Sequence, residues 1–236
     1  TLKPDCLTDK EFKSIKKENG DMIKIEKTKT VGILGQKGTG KTYLTRQIAE
    51  AIPKDVVLFD TIGVVKPKGT KIYEVDIKNL EKQAVLFSQI TLRTHHNIGI
   101  DLSRLTKDEI VTFTQLYLTI TPMKNKYIII DEMADYTPQI GESSKELERL
   151  VRHGRNFGNT FIFNTQRTAY LTKNVLNLID VVVFFRLVWQ RDVEVVKDVL
   201  NNLGKRNIMS EVNKITNFGV GECAVYKFGV DKKVPS

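Results

Sequence analysis

The sequence predicts an α/β fold with a mainly parallel central sheet flanked by helices and with additional hairpin strands. Strand-like and helix-like segments alternate along the chain, which is typical of a doubly wound parallel sheet. The 236 residues are enough to bury the core of one such domain without disulfides or metal ions. We therefore expect a single domain over residues 30–236, preceded by a helix or arm over residues 1–29.

The first predicted strand and helix flank a glycine-rich loop. Residues 30–35 form a short β-branched run, and Lys41–Ala51 has the apolar periodicity of a helix before Pro53 ends it. Val56–Asp60 then predicts a second buried strand. The order strand, loop, helix and strand is therefore expected at the start of the domain.

The next segment contains a turn signal. Pro67 and Gly69 lie between apolar runs and predict a β-hairpin over residues 64–75, after which residues 77–88 have a helical pattern. Residues 88–102 are ambiguous. This part of the chain therefore predicts strands at its start and a helix in its middle.

Two capping boxes predict the starts of later helices. Thr106 followed by Glu109 opens an apolar helix to about residue 120, and Ser143 with Glu146 opens a helix that should end near residues 154–158. The remaining predicted elements are strands over residues 127–131, 160–164, 180–187 and 221–228 and an amphipathic helix over residues 190–203.

Composition limits the classes of function. Lys and Arg number 37 against 28 Asp and Glu, so the formal charge is +9, which favours encounter with a polyanion. Cys6 and Cys223 indicate free thiols rather than a disulfide framework, and the histidines have no metal-ligand spacing. No apolar run approaches the roughly 18 residues that span a bilayer, and no signal-peptide pattern opens the sequence. We expect an intracellular protein with Trp189 in its core.

Residues 35–42 carry the strongest functional motif. They are Gly-Gln-Lys-Gly-Thr-Gly-Lys-Thr, which fits G-x-x-x-x-G-K-[ST] between a predicted strand and a predicted helix. Such a loop directs backbone N–H groups at phosphate oxygens, so it predicts an ATP site. Lys41 is expected to contact the β and γ phosphates and Thr42 a Mg²⁺ ion. The residues expected at the nucleotide are Gly35, Gln36, Lys37, Gly38, Thr39, Gly40, Lys41, Thr42 and Tyr43.

The segment Lys126-Tyr-Ile-Ile-Ile-Asp131-Glu132 is an apolar strand that ends in two carboxylates, the Walker B pattern. Asp131 is expected to hold Mg²⁺ through water, and Glu132 to polarise the water that attacks the γ phosphate. This pair favours hydrolysis over binding alone. The alternatives are a glycine turn that matches the first motif by chance and a surface turn after a buried strand.

A third pattern lies farther along the chain. A helix ending in Arg152-His-Gly-Arg155-Asn-Phe-Gly158 leads into a strand that ends in Thr165-Gln166-Arg167, and a later strand ends in Phe185-Arg186-Leu187. With these motifs the chain resembles the HerA/FtsK superfamily of P-loop DNA-pumping ATPases from about residue 31 to residue 228. The chain departs from the superfamily's pattern at two places. Thr168 stands where a proline usually follows the Thr-Gln-Arg motif, and the second strand ends in Asp-Thr-Ile-Gly at residues 60–63 instead of a D-P-x-G-like sequence.

The resemblance implies a RecA-like (ASCE) P-loop NTPase fold and a ring, a hexamer or a pentamer, in which a neighbouring subunit's arginine completes the site. Arg155 is the first candidate and Arg152 the second. The alternatives for both are a basic helix face paired with Glu146 or Glu148, and contacts to DNA phosphates. Gln166 resembles the superfamily's polar sensor of the γ phosphate, and the alternative is a glutamine that faces solvent.

The resemblance and the charge together indicate an ATP-hydrolysing translocase of double-stranded DNA. The chain has little beyond the ATPase core, and in this it resembles genome-packaging ATPases of membrane-containing and archaeal viruses. Its expected partners are double-stranded DNA, further copies of itself and a capsid or membrane-associated viral protein, in the host cytoplasm and transiently at the virion vertex. The alternatives are a plasmid-transfer or chromosome-associated translocase, a nucleotide-dependent switch or scaffold, and a small-molecule kinase.

Overall fold

The computed structural model of the protein describes residues 12–16, 22–25, 27–136, 143–171 and 173–228. Within them the chain forms ten strands and seven α-helices. The strands are β1 (Phe12–Lys16), β2 (Met22–Ile25), β3 (Thr30–Leu34), β4 (Val56–Asp60), β5 (Thr70–Glu74), β6 (Asn97–Asp101), β7 (Tyr127–Ile130), β8 (Thr160–Thr165), β9 (Val181–Phe184) and β10 (Ala224–Lys227). The helices are α1 (Lys41–Ala51), α2 (Leu80–Arg93), α3 (Lys107–Ile120), α4 (Lys145–His153), α5 (Lys173–Leu176), α6 (Gln190–Asn202) and α7 (Ile208–Thr216).

An eight-stranded sheet lies at the centre of the fold, in the order β10-β9-β3-β8-β7-β4-β6-β5. Every neighbouring pair in this sheet is parallel except β9 and β10, which are antiparallel. The carboxyl ends of the parallel strands therefore meet at one edge, where such folds place their ligands. The prediction of a mainly parallel α/β fold is confirmed.

Helices cover both faces of the sheet. Side chains alternate along each strand, so Ile33 packs with Ile48 of α1 on one face, whereas Leu34 faces the larger hydrophobic cluster on the other. Helices α2, α3, α4, α6 and α7 all contribute to that larger cluster. None of the helices in the described part of the chain has the length and hydropathy needed to cross a membrane.

Cap chemistry sets the starts of two helices. Thr106 and Glu109 form the predicted capping box of α3, with the Glu109 carboxylate accepting from the Thr106 N–H at 2.7 Å. At α4 the prediction is wrong by one residue, because Ser144 rather than Ser143 is the cap and its hydroxyl accepts from the Leu147 N–H at 3.3 Å.

The hairpin predicted over residues 64–75 is wrong. The carboxylate of Asp60 accepts hydrogen bonds from the backbone N–H groups of Ile62, Gly63 and Val65 at 3.0, 2.8 and 2.6 Å, so the chain curls around this side chain after β4. Strand β5 then pairs in parallel with β6, since β4 already lies between β6 and β7. The ambiguous residues 88–102 complete α2 and form β6.

The N-terminal region also differs from its prediction. Strands β1 and β2 pair antiparallel, with Phe12 opposite Ile25, so a helix is wrong for these residues. The division of the chain after residue 29 stays a prediction. Residues 1–11 lie outside the described part of the chain.

Trp189 is not in the core, because it is the N-cap residue of α6 and its surface is 73% exposed. The helix that follows it directs Val196, Val199 and Leu200 towards the core instead. Helix α7 was not predicted from the sequence; it packs beside α6 with Val212 and Ile215 buried.

Candidate functional site

The glycine loop over residues 35–42 connects the carboxyl end of β3 to the first turn of α1, as predicted. Gly40 is the N-cap of α1 and has φ +111°, a backbone conformation that side chains other than glycine rarely adopt. Gly35 lies against the residue that follows β9, since an added Cβ would be 2.5 Å from the Cβ of Phe185. The sequence therefore needs glycine at both positions to wrap the loop tightly above the sheet.

Three neighbouring segments fix this loop by backbone hydrogen bonds. The Gly35 N–H donates to the carbonyl of Thr165 at 3.3 Å, and the Gln36 N–H donates to the carbonyl of Arg186 at 2.9 Å. On the other side, the Gly221 N–H donates to the carbonyl of Thr39 at 2.9 Å. The loop is thus held by the strands on either side of β3 and by the turn before β10.

Lys41 is buried at the mouth of the loop. Its ammonium group donates a hydrogen bond to the carbonyl of Gln36 at 2.8 Å. Burial lowers the pKa of Lys41 to about 8, and the carboxylates of Glu132 and Asp131 oppose that shift. The ammonium group therefore interacts electrostatically with both acidic residues that follow the Walker B strand.

Asp131 follows β7 directly and is buried. One carboxylate oxygen accepts a hydrogen bond from the Asn164 amide at 2.7 Å, while the other has no partner in the described part of the chain. Burial raises the pKa of Asp131 to about 7, and the neighbouring carboxylates of Asp60 and Glu132 add to that shift. A buried carboxylate oxygen without a partner is costly, so this position favours a cation.

The side chains of Thr42 and Asp131 are suited to the predicted Mg²⁺ ion. A hydroxyl in the first turn of α1 and a buried carboxylate with a free oxygen are oxygen donors, the kind that Mg²⁺ prefers. No cluster of three or more His, Cys, Asp or Glu side chains among the described residues could hold a metal ion by itself. A cation here would therefore depend on further ligands from a nucleotide or from water.

Glu132 is held in an unusual backbone conformation, with φ +53° and ψ 65°. For a residue other than glycine this costs about 1–3 kcal/mol, which the surroundings must offset. Its carboxylate accepts from the hydroxyl of Thr165 and from the Gln166 N–H at 3.0 Å, and its own N–H donates to the Asn164 side chain at 3.2 Å. Burial raises the pKa of Glu132. The end of β8 thus positions this carboxylate beside Asp131.

The structure brings most of the predicted residues together. The loop, Lys41, Asp131 and Glu132 meet at the carboxyl edge, and Gln166 follows β8, which pairs with β7. Tyr43 points to the outside of α1, where its hydroxyl accepts from the Gln47 amide at 2.7 Å. The contacts expected of Gln166 and Tyr43 with a nucleotide stay predictions.

The two candidate arginines lie at the opposite edge of the sheet. Arg155 donates to the carboxylate of Asp180 at 2.8 Å, and the same carboxylate accepts from the N–H of Thr30 at the start of β3 at 2.9 Å. Arg152, Arg155 and Asp180 line one cavity of about 590 Å³ at this edge. Glu146 pairs with Arg149 instead of either candidate. Neither candidate can therefore reach the nucleotide loop of its own chain without a large rearrangement.

The roles of several site residues were not predicted from the sequence. Asn164 joins the site by bridging Asp131 and Thr45, and Thr165 by binding Glu132. The signal was present, since these are adjacent polar residues that follow the apolar run Phe-Ile-Phe at the end of a buried strand. Arg186 was predicted only as part of a motif. With the Gln36 amide oxygen turned towards it, the Arg186 guanidinium donates two hydrogen bonds to that oxygen, at 3.0 and 3.1 Å.

The family model of zonular occludens toxin (Zot) matches residues 30–193, which is more than half of the chain. Among curated protein sequences, none matches this chain.

Solved structures match the fold. The genome packaging NTPase B204 from Sulfolobus turreted icosahedral virus 2, in complex with AMPPCP, is 15% identical, with a TM-score of 0.57 over 84% of this chain and 92% of that chain. The same protein in complex with sulfate is 14% identical, with a TM-score of 0.58 over 85% and 92%. A further structure is that of B204, the DNA-packaging ATPase from Sulfolobus turreted icosahedral virus. It is 14% identical, with a TM-score of 0.55 over 85% of this chain and 92% of that chain. At such identity the likeness shows the fold, a RecA-like P-loop fold.

Proposed function

We propose that this chain, which belongs to the zonular occludens toxin (Zot) family of P-loop ATPases, is a motor that hydrolyses ATP to move double-stranded DNA into a viral capsid. It is an ATPase with the fold of viral packaging NTPases. DNA movement, packaging, the ring and the Mg²⁺ ion are the parts that we propose. Packaging would place the protein in the host cytoplasm and transiently at the virion vertex.

The observation that carries the proposal is that Asn164 hydrogen-bonds both Asp131 and Thr45, one turn after Lys41 in α1, so that Lys41, Asp131 and Glu132 lie together at the glycine loop. A site for binding alone needs the loop and the lysine. A buried carboxylate fixed in place next to Asp131 is needed in addition when a water molecule must be deprotonated. The geometry therefore favours hydrolysis over a nucleotide-dependent switch.

Each side chain then has a separate task at the triphosphate of ATP. The loop N–H groups and Lys41 bind the β and γ phosphates, and Glu132 accepts a proton from the water that attacks the γ phosphorus. Attack breaks the bond between that phosphorus and the β,γ-bridging oxygen, and ADP leaves with the bridging oxygen. Gln166 is suited to sensing the γ phosphate, because its N–H already binds Glu132. Thr42 and Asp131 would hold Mg²⁺, which would supply charge neutralisation on the phosphates.

The position of Arg155 supports a ring. It lies at the edge of the sheet away from its own nucleotide loop and is exposed, so a second copy could receive it as the arginine that neutralises charge on the γ phosphate. We propose a closed ring of five or six copies around the duplex. A capsid or membrane-associated viral protein would anchor such a ring.

The formal charge of +9 supports DNA as the polymer. Lysine and arginine contacts to phosphates are independent of base sequence, as a motor that traverses a whole genome requires, and they weaken as salt rises.

The test is the steady-state rate of ATP hydrolysis with and without long double-stranded DNA at two salt concentrations. Strong stimulation by DNA that fades at higher salt is expected. Hydrolysis that is indifferent to DNA at both concentrations would overturn the DNA motor and favour a switch or a motor on another polymer.

A further inference from the structure

The connection between β4 and β5 and the start of β5 expose three lysines that the active site does not use. Lys66, Lys68 and Lys71 are exposed within six residues, and we name residues 61–71 the basic crossover. In the part of the chain that the structure describes, none of the three pairs with a carboxylate. Lys71 lies over the ring of Tyr73 at 5.3 Å. Their charges are therefore available to an external anion.

The backbone that carries these lysines is fixed to the domain. Val65 is buried in the hydrophobic cluster beneath α1, and Pro67 is also buried. The Lys68 N–H donates to the carboxylate of Glu50 at 3.0 Å, and the Thr70 N–H donates to the carbonyl of Pro67 at 3.3 Å. Glu50 is thus an acidic side chain in direct contact with the crossover, and three ammonium groups outweigh it.

The basic crossover begins at the active site. Its first residue, Thr61, donates its hydroxyl to the carbonyl of Asp131 at 3.5 Å, and the buried carboxylate of Asp60 binds the N–H groups of Ile62, Gly63 and Val65. Val65 immediately precedes the first exposed lysine. A displacement of Asp131 would therefore reach the backbone at Lys66 through Thr61 and the hydrogen bonds of the Asp60 carboxylate.

We propose that the basic crossover binds the phosphate backbone of double-stranded DNA and that this contact stimulates ATP hydrolysis through Asp60. The proposal rests on the proposed DNA motor and assigns its contact surface. Lysine is a flexible point charge that suits phosphate contact without base recognition. Three such charges along one short rigid segment match the closely spaced phosphates of a duplex.

The test compares two triple variants of equal charge. The first carries Lys66→Ala, Lys68→Ala and Lys71→Ala, and the control carries Lys78→Ala, Lys82→Ala and Lys124→Ala at exposed positions that form no ion pair in the described residues. Binding of a fluorescently labelled duplex is measured by anisotropy over a salt series. Hydrolysis is measured with and without unlabelled DNA, and with poly-glutamate as a second polyanion.

The crossover variant should hydrolyse ATP at the wild-type rate without DNA and lose most of the stimulation by DNA. The slope of log affinity against log salt should fall by roughly 2 to 3, since each phosphate contact contributes about 0.9. The assignment would be overturned, with the motor left intact, if both triple variants lost DNA binding and stimulation equally. It would also be overturned if the crossover variant bound DNA and was stimulated by it at the wild-type level. Wild-type protein that ignores DNA would overturn both, and equal stimulation by poly-glutamate would favour an acidic protein partner instead.

Discussion

Thr165 donates a hydrogen bond from its hydroxyl to the carboxylate of Glu132, and both residues are buried. The next residue, Gln166, donates its N–H to the other oxygen of the same carboxylate at 3.0 Å. The end of β8 therefore fixes the carboxylate that we assign as the general base. This strand end also carries Asn164, which binds the neighbouring carboxylate of Asp131.

Replacing Thr165 with valine should slow turnover without weakening ATP binding. Valine keeps the shape of the side chain but removes the hydroxyl donor, and a hydrogen bond to a charged group contributes about 1.5–3 kcal/mol. We expect kcat to fall roughly 10- to 100-fold with KM for ATP little changed. Thr165→Ser keeps the donor and should stay near the wild-type rate; a serine variant as slow as the valine variant would contradict this role.

Glu132→Gln should still bind ATP but hydrolyse it at least about 100-fold more slowly, because the amide cannot accept the proton of the attacking water. Equilibrium binding of a labelled ATP analogue and single-turnover hydrolysis separate the two effects. Near-normal turnover in the Gln variant would remove Glu132 from the general-base role.

Lys41→Ala should abolish nucleotide binding or hydrolysis, since it removes the cation that the loop directs at the β and γ phosphates. Lys124→Ala is a matched control, an exposed lysine far along the chain from the loop. Thermal unfolding of both variants shows whether the fold is kept. Wild-type nucleotide affinity together with wild-type hydrolysis in a folded Lys41→Ala variant would contradict the assignment.

Arg155→Ala should abolish hydrolysis in homogeneous rings, because every site would then lack the arginine of its neighbour. This role requires Arg155 to leave its salt bridge with Asp180 and enter the neighbouring subunit's site. Mixing this variant with Lys41→Ala should partly restore hydrolysis, because some interfaces then combine an intact loop with an intact arginine. Hydrolysis is measured across a series of mixing ratios. No recovery at any ratio would count against Arg155 acting across an interface, and Arg152 would be examined in the same way.

Much of the fold could be predicted because its signals are local. The glycine loop, the apolar strand before Asp131 and the capping box at Thr106 each depend on residues within a few positions of one another. The hairpin prediction was wrong because Asp60 captures three backbone N–H groups after β4, a contact that no turn signal in Pro67 or Gly69 reveals. Trp189 was misplaced because hydrophobicity predicts burial, whereas its position before α6 leaves it exposed.

Site residues could be predicted where a short sequence motif identifies them. They could not be predicted where a residue's role depends on contact with a second residue far along the chain. Thr165 and Glu132 are 33 residues apart, and only the pairing of β7 with β8 brings them together. The salt bridge of Arg155 to Asp180 likewise joins two elements through the amino edge of the sheet. From the sequence, pairing with Glu146 or Glu148 was only an alternative for Arg155, and in the structure Arg155 pairs with Asp180 instead.

The most direct test of the motor is displacement of a third strand from double-stranded DNA. A fluorescently labelled triplex-forming oligonucleotide is bound to one end of a long duplex, and its release is followed after addition of protein and ATP. Our account predicts release by the wild-type protein that requires ATP hydrolysis, with a lag that lengthens as the duplex lengthens, and no release by Glu132→Gln. DNA-stimulated hydrolysis by the wild-type protein without release of the third strand would contradict translocation along the duplex.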